Sequence, residues 1–272
     1  RYDFEHYELN ETGKYQVFFE ETQGTALFKQ YIWASGNSGF ALTGVGRNPQ
    51  EYPTVSIENG IDGSRAIKLE TKSTGQFGET VKMPIAAGNL FLGSFDVNNA
   101  VQKPLKATRF GLPFGKKPLQ LKGYYKYTPG TQPFKAKDKN GNTVTIPRQE
   151  DEGDIYAVLY EAAELDGKAL DGNNVLTSEN IVALARVEVE KKDEFTAFHV
   201  DFHYGSRIPI DWPKFIQDQR DPSDDGTAPY LSFSEEKMKN YEYNLAVVFT
   251  SSKYGAYFAG SVGSTLCIDK VE

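Results

Sequence analysis

The sequence predicts an all-β protein: a jelly-roll β-sandwich with a few short helices in the connecting loops, formed by residues 1–272 as one domain. Three observations carry this expectation. Apolar segments of strand length recur along the chain, several of them alternate with period two, and turn residues punctuate them while helical periodicity is scarce. The composition agrees, with 18 Phe and 16 Tyr against 2 Trp, 2 Met and 1 Cys. Phe and Tyr suit half-buried pleated surfaces.

Taken in order, the expected strands are Thr54–Ile57, Ala66–Thr71, Leu90–Phe95, Ala107–Leu112, Leu119–Tyr127, Ile155–Tyr160, Ile181–Val189, Phe195–Phe202, Tyr243–Thr250 and Thr265–Val271. In the second of these, Ile67 and Leu69 point one way and Lys68 and Glu70 the other. In Ile155–Tyr160, Ile155, Ala157 and Leu159 share one face and Tyr156, Val158 and Tyr160 share the opposite one, so both faces are expected to be covered. Asn140-Gly141-Asn142 reads as a hairpin turn, and Asp166-Gly167-Lys168 and Asp171-Gly172-Asn173 as further turns. Ser234–Asn240 predicts a short helix capped by Ser234, and Asp211–Gln219 another turn or two with Pro213 in the first. Gln219–Ala228 is the most loop-like stretch. No repeat or low-complexity tract interrupts the pattern.

Charge and cysteine content exclude several classes of function. The net charge is −7, and Lys and Arg are scattered singly or in pairs such as Lys116-Lys117, so no basic stripe exists to release counterions from nucleic acid. Cys267 stands within an apolar strand and reads as core filler, and a single cysteine forms no internal disulfide. No run of about 18 apolar residues spans a bilayer. The chain begins at Arg1 without a signal peptide, which leaves export open.

Several longer stretches carry a resemblance. They include Pro84–Gly93 (PIAAGNLFLG), Thr108–Phe114 (TRFGLPF), Leu121–Tyr127 (LKGYYKY), Asp154–Tyr160 (DIYAVLY), Val248–Lys253 (VFTSSK) and Phe258–Leu266 (FAGSVGSTL), followed by Asp269. Over nearly the whole chain these resemble the putative carbohydrate metabolism domain, a family of surface lipoproteins from gut-dwelling Gram-negative anaerobes. The sequence departs from the pattern at Thr250, where Ser is usual, and at Gln219–Ala228, which looks like an insertion. The resemblance implies a fold like that of carbohydrate-binding jelly rolls, often behind a smaller N-terminal immunoglobulin-like domain that this sequence lacks. It also implies export, to the cell surface or periplasm with a lipid anchor upstream, and a polysaccharide or oligosaccharide as partner.

Catalytic chemistry has little to build on. Glycoside hydrolysis usually needs two carboxyls about 5–9.5 Å apart. Asp154 and Glu161, at the two ends of one strand, are the best placed, yet seven residues of separation put them on opposite faces, and they read as solvated strand ends. The serines of Gly260-Ser261-Val262-Gly263-Ser264 lead into a strand, not the helix that a nucleophile elbow requires. His199 and His203 would share a strand face about 13 Å apart, too far for one metal. No Walker loop or dinucleotide fingerprint appears. No cofactor is expected, although the resemblance of Asp3-Phe4-Glu5 and Leu266–Val271 to the end strands of sugar-binding jelly rolls leaves a structural calcium open.

A sugar site needs flat aromatic faces for pyranose C–H groups and polar groups for hydroxyls. Trp33 precedes the polar stretch Ala34–Gly39, so Trp33 and Asn37 are candidate ligand-binding residues, with core packing of Trp33 as the alternative. Trp212, beside the irregular loop, is the other tryptophan. Along Leu121–Tyr127 an unpaired Lys126 is costly to bury, so Lys126 and Tyr124 are expected to face an open surface or cleft as further candidate ligand-binding residues, with Tyr125 and Tyr127 inward. Three readings follow. The chain is a glycan-capture domain, a glycoside hydrolase with an unrecognised carboxylate pair, or a structural adhesin module without sugar.

Overall fold

A computed structural model describes residues 1–22, 28–163, 169–224 and 226–272, with the Asp224 side chain excepted. Two antiparallel sheets dominate it. The smaller runs in the order Lys192–Asp201, Gln120–Thr128, Thr265–Asp269, Ala66–Glu70, Thr54–Ile57. The larger runs Thr108–Phe110, Asn89–Phe95, Tyr243–Thr250, Asp154–Glu161, Ile181–Val187, His203–Tyr204. Two short strands, Trp33–Ala34 and Leu112–Pro113, pair with its second and third members. Each strand expected from the sequence is present within a few residues of its expected bounds. The expected segment Ala107–Leu112 divides into two strands, and Phe195–Phe202 extends back to Lys192.

Period-two alternation explains why the sheets stack. Ile67, Leu69, Tyr125, Tyr127, Leu266 and Ile268 from the smaller sheet meet Ile155, Ala157, Leu159, Val247 and Phe249 from the larger in one core. The opposite set of the small sheet, including Lys68, Lys122, Tyr124 and Lys126, faces outward, and Glu70 there bridges Lys68 and Lys72 at 3.1 and 2.9 Å. Cys267 lies on this outward side, opposite Lys126 and Lys68, yet is buried and outside the central core cluster. Burial pushes its thiol up to about 11.

The large sheet is covered on both faces, as Ile155–Tyr160 requires. Every residue of Asp154–Glu161 is buried, and Tyr156, Val158 and Tyr160 join Phe91, Phe110, Leu184 and Val248 in a second cluster under segments around 170–176 and 210–230. The ends of the chain meet, Tyr2 and Val271 exchanging hydrogen bonds of 2.7 and 3.0 Å.

Local signals held at several turns. Lys135–Lys137 pairs with Thr143–Thr145 across the Asn140–Asn142 turn, where Gly141 has φ +75° and Asp138 Oδ1 accepts from Asn140 and Asn142 N–H. Helix Glu235–Lys239 has Ser234 as its cap, accepting from Lys237 N–H. Pro213 precedes a single turn, Lys214–Gln217. The turn expected at Asp166–Lys168 lies outside the described residues. No described helix is long and apolar enough to cross a membrane.

Candidate functional site

The outer face of the large sheet carries a concavity walled by aromatic side chains. Strand register builds its floor. Phe91 is paired with Val248, Val248 with Tyr156, and Tyr156 with Arg186, so four strands place these side chains in one row. Asn89, Thr250 and Asp154 form the adjacent row. Above this floor lies a cleft of about 200 Å³. It runs from the Phe91 strand, beneath Phe40, Phe77 and Phe95, to the Arg186 strand, beneath Trp212, Arg220 and Tyr257. Three strand spacings make that about 14 Å.

Asp154 and Arg186 dominate the electrostatics of the floor. Both Asp154 oxygens are held, Oδ1 by Arg186 Nε at 3.0 Å and Oδ2 by Nη2 at 2.7 Å. Burial opposes charge on Arg186, but the carboxylate beside it more than compensates and raises its pKa. The guanidinium also lies over the Tyr156 ring, 5.8 Å from the centroid. Burial pushes the Tyr156 phenol upward, with Asp154 adding to the shift.

Trp212 stands where this cleft meets a second concavity. That open groove, about 690 Å³, is lined by Arg207, Asp211, Trp212, Gln217, Arg220 and Thr227 among others. Trp212 and Arg220 line both. The Arg220 guanidinium lies 4.2 Å from the indole centroid and donates to the Tyr257 hydroxyl at 2.6 Å. Trp212 Nε1 is buried and finds no acceptor among the described residues.

The residues expected to bind ligand do not gather here. Trp33 is a core residue, 4% exposed, packed against Tyr2, Phe4 and Phe249, with its indole N–H donating to Glu20 at 2.8 Å. The expected polar loop after it is a two-residue strand followed by helix Asn37–Ala41. Register places Trp33 opposite Leu92, on the core side of the sheet. Asn37 is 1% exposed; its amide donates to Gln16 and Thr54 carbonyls and accepts from Thr54 N–H, so it fastens backbone. Tyr125 and Tyr127 point inward and Tyr124 and Lys126 outward. Lys126 Nζ sits 5.1 Å from the Phe195 ring centroid. That surface belongs to the small sheet, away from the cleft.

Other candidate groups are also placed differently from their expectation. Asp154 and Glu161 are buried, not solvated; Glu161 pairs with Lys237. A buried carboxylate needs such partners, because desolvation without one is prohibitive. His199 and His203 do not share one strand face. His199 pairs with Lys122 in the small sheet and His203 with Leu184 in the large one, the chain crossing between them at buried Phe202. Of the chain-end acids, Glu5 and Asp269 meet the adjacent residues Arg65 and Ser64, and Asp269 Oδ1 is buried without a hydrogen-bond partner among the described residues. Asp3 pairs with Arg1 at 2.9 Å, Glu5 accepts from Arg65 N–H, and buried Asp269 accepts from Ile61 N–H and the Ser64 hydroxyl. Among the described residues no group of three or more His, Cys, Asp or Glu is arranged to hold a metal ion.

Sequence reasoning missed Asp151 and its partners. This carboxylate is 2% exposed. Its Oδ2 accepts from Ser252 Oγ, Ser264 Oγ and Ser261 N–H at 2.6, 2.7 and 2.8 Å. Ser252 Oγ lies 2.6 Å from Thr71 Oγ1, itself 2.8 Å from Ser251 Oγ. Burial pushes Asp151 up to about 6, against these hydrogen bonds. The glycine-flanked serines were legible only as a failed nucleophile elbow; their role is to hold this carboxylate.

The fold is thus a two-sheet antiparallel β-sandwich with an aromatic-lined cleft across one sheet face. The chain belongs to the putative carbohydrate metabolism domain family, whose model matches residues 3–272. A solved structure described as a putative glycoside hydrolase from Bacteroides thetaiotaomicron is 43% identical, with TM-score 0.78, over 100% of this chain and 69% of that one. A second, described as a putative glycoside hydrolase from Bacteroides vulgatus, is 34% identical with TM-score 0.77, over 100% of this chain and 96% of that one. A family 11 carbohydrate-binding module of a Clostridium thermocellum cellulase is 9% identical at TM-score 0.34, over 80% of this chain and 78% of that one, too loose a likeness to bear on function. No curated protein sequence matches the chain.

Proposed function

We propose that this chain is a glycan-capture domain that holds an oligosaccharide in the groove beside Trp212. The observation that carries this reading is Trp212 itself. It lines both concavities, and its indole N–H lacks an acceptor among the described residues. A partly exposed aromatic side chain at the junction of two concavities suits a pyranose, which offers C–H faces to the ring. Concave sites with aromatic walls and a few polar groups are where small ligands bind.

Capture is favoured over hydrolysis by the state of the acids. Asp154 and Asp211 are the carboxylates among the described lining residues. Both oxygens of Asp154 are occupied by Arg186, which leaves neither aimed at a ligand, and Asp211 is exposed at the rim. A hydrolase needs a proton donor and a second carboxylate across the scissile bond. The hydrolase reading draws support from the descriptions of the two Bacteroides relatives. It requires sugar release that falls by orders of magnitude in Asp154→Asn or Asp211→Asn.

A glycan array on the wild type and on Trp212→Ala tests the proposal, with melting temperature and reducing-sugar release measured alongside. Binding that drops at least tenfold in Trp212→Ala, without sugar release, supports capture. Silence of the folded wild type against every glycan would leave the structural-module reading. The same proposal puts the chain at the cell surface or in the periplasm, which fractionation of cells expressing the full-length protein checks.

A further inference from the structure

Charge is distributed unevenly around the two concavities. Among the described residues, Arg186, Arg220 and Lys253 line the cleft against the single carboxylate of Asp154. Arg207 and Arg220 line the groove against the single carboxylate of Asp211. The Glu152 carboxylate that pairs with Lys253 lies outside this lining and is 54% exposed, so water screens it. Cations therefore outnumber acids along the described lining of both concavities, in a chain whose net charge is −7. A local excess of that sign draws anions to the cleft.

Asp154 orients Arg186 without exhausting it. A guanidinium carries five N–H donors in a rigid fork. Asp154 accepts from Nε and Nη2, and Nη1 has no hydrogen-bond partner among the described residues and is not sealed from solvent. The side chain is 20% exposed and lines the cleft. Its cross-strand partner Tyr156 supplies another donor, the Cα atoms of such partners being about 5 Å apart. The Tyr156 phenol also lacks a partner among the described residues and is not sealed. Burial raises its pKa, so it stays protonated and able to donate.

This pair lies at the groove end of the cleft. Tyr257 links the two: its hydroxyl accepts from Arg220 at 2.6 Å, its ring centroid is 6.4 Å from that of Trp212, and it is near enough to help hold the Tyr156 phenol protonated. We propose that the Arg186 end of the cleft is an oxyanion subsite, where the Arg186 fork and the Tyr156 hydroxyl hold a carboxylate or sulfate group on the sugar that rests against Trp212. This rests on the glycan-capture reading and adds a substrate class to it: acidic oligosaccharides, uronate-containing or sulfated. A guanidinium already fixed by one carboxylate loses little freedom on binding a second oxyanion, and its planar fork matches such groups bidentately. Only the anionic group, and no sugar ring, need enter the cleft of about 200 Å³.

The test is calorimetry on the intact chain with matched probes. Trimers of galacturonate and mannuronate are compared with their methyl esters, and sulfated galactan and chondroitin oligosaccharides with their desulfated forms. For any pair that binds, the charged member is expected to bind at least tenfold more tightly; the ester pairs read a carboxylate and the desulfated pairs a sulfate. Tyr156→Phe should narrow that ratio about tenfold. Arg186→Met combined with Asp154→Leu, which removes both charges together, should abolish it, whereas Trp212→Ala should weaken both members of a pair alike. Melting temperature checks that each variant is folded, and should the double variant fail to fold, Tyr156→Phe and Arg186→Lys carry the test. Equal affinity within every pair, neutral array glycans bound while no acidic probe is, or a ratio that survives in the Tyr156 and Arg186 variants overturns this inference and leaves glycan capture standing. Failure of every probe and of every array glycan to bind removes the capture reading, and this one with it.

Discussion

Asp151 shows how one buried residue makes stability depend on pH. Its carboxylate is held by two serine hydroxyls and two backbone N–H groups, yet burial outweighs them and lifts its pKa to about 6. The unfolded value is about 3.9, so the folded state binds the proton more tightly. The sign is therefore the reverse of an ordinary paired carboxylate. Asp151's contribution is fully present below about pH 4 and is lost as pH rises through about 6, a change of about 3 kcal/mol at about 1.4 per pKa unit. At pH 4 Asp151→Asn should be less stable by about 1–3 kcal/mol, because its amide faces the Glu152 N–H that Oδ1 formerly accepted from, and the gap should close toward pH 7 as the wild type ionises. It should also lose the wild type's fall in stability between pH 4 and 6. Urea unfolding of both proteins at pH 4, 5, 6 and 7 measures the difference in slope, and parallel profiles would contradict the assignment.

At the scale of elements, neighbouring strands are joined by more than their ladders. Asp154 and Arg186 lie one on each of the adjacent strands Asp154–Glu161 and Ile181–Val187, and Glu161, at the far end of the first, meets Lys237 from helix Glu235–Lys239. Removing one member of a buried pair leaves an uncompensated charge and typically costs about 3–5 kcal/mol. Arg186→Met should lose stability at the lower end of that range, since its side chain is 20% exposed. Adding Asp154→Leu should restore most of the loss, because an apolar pair of similar volume avoids desolvating charge. A double-mutant cycle by urea unfolding measures the coupling. A double variant no more stable than Arg186→Met alone would show that the pair matters for geometry and not for charge balance.

The molecule as a whole depends on a close approach between its two sheets near Gly88. A Cβ there would come within 2.4 Å of both the Glu70 nitrogen and the Pro53 oxygen. Gly88 N–H donates to the Ser251 hydroxyl at 2.9 Å, and its carbonyl accepts from Ser251 N–H at 2.9 Å. Backbone from the small sheet's edge thus abuts the start of the strand that floors the cleft. Gly88→Ala must push these segments apart, and overpacking of this kind costs about 1–3 kcal/mol. Because Asn89 begins the floor, the same variant should also weaken glycan binding, whereas Gly141→Ala in the remote hairpin should lower stability alone. Melting temperature and glycan affinity of the two variants separate the effects; unchanged melting in Gly88→Ala would mean that the sheets are not locked there.

The sequence by itself determined what short-range physics controls. Period-two alternation marked the strands and showed that Ile155–Tyr160 is covered on both faces. Ser234 announced a helix start, Asn140–Asn142 a hairpin, and Lys126 the outward set of its strand, each because a cap, a turn or a buried charge has a local energetic signature. The long motifs were enough to point to the family. Only the tertiary structure decided the site. Phe91, Val248, Tyr156 and Arg186 are far apart in the chain and form one row solely through register between strands, which alternation does not encode. Trp33 and Trp212 looked like comparable aromatic candidates, yet Trp33 was drawn into the core by pairing opposite Leu92, while Trp212 was left at the junction of cleft and groove. Alternation says which side chains share a face; which face meets the other sheet, which is roofed by loops and which stays open depends on contacts between distant segments, and those exist only once the chain has folded.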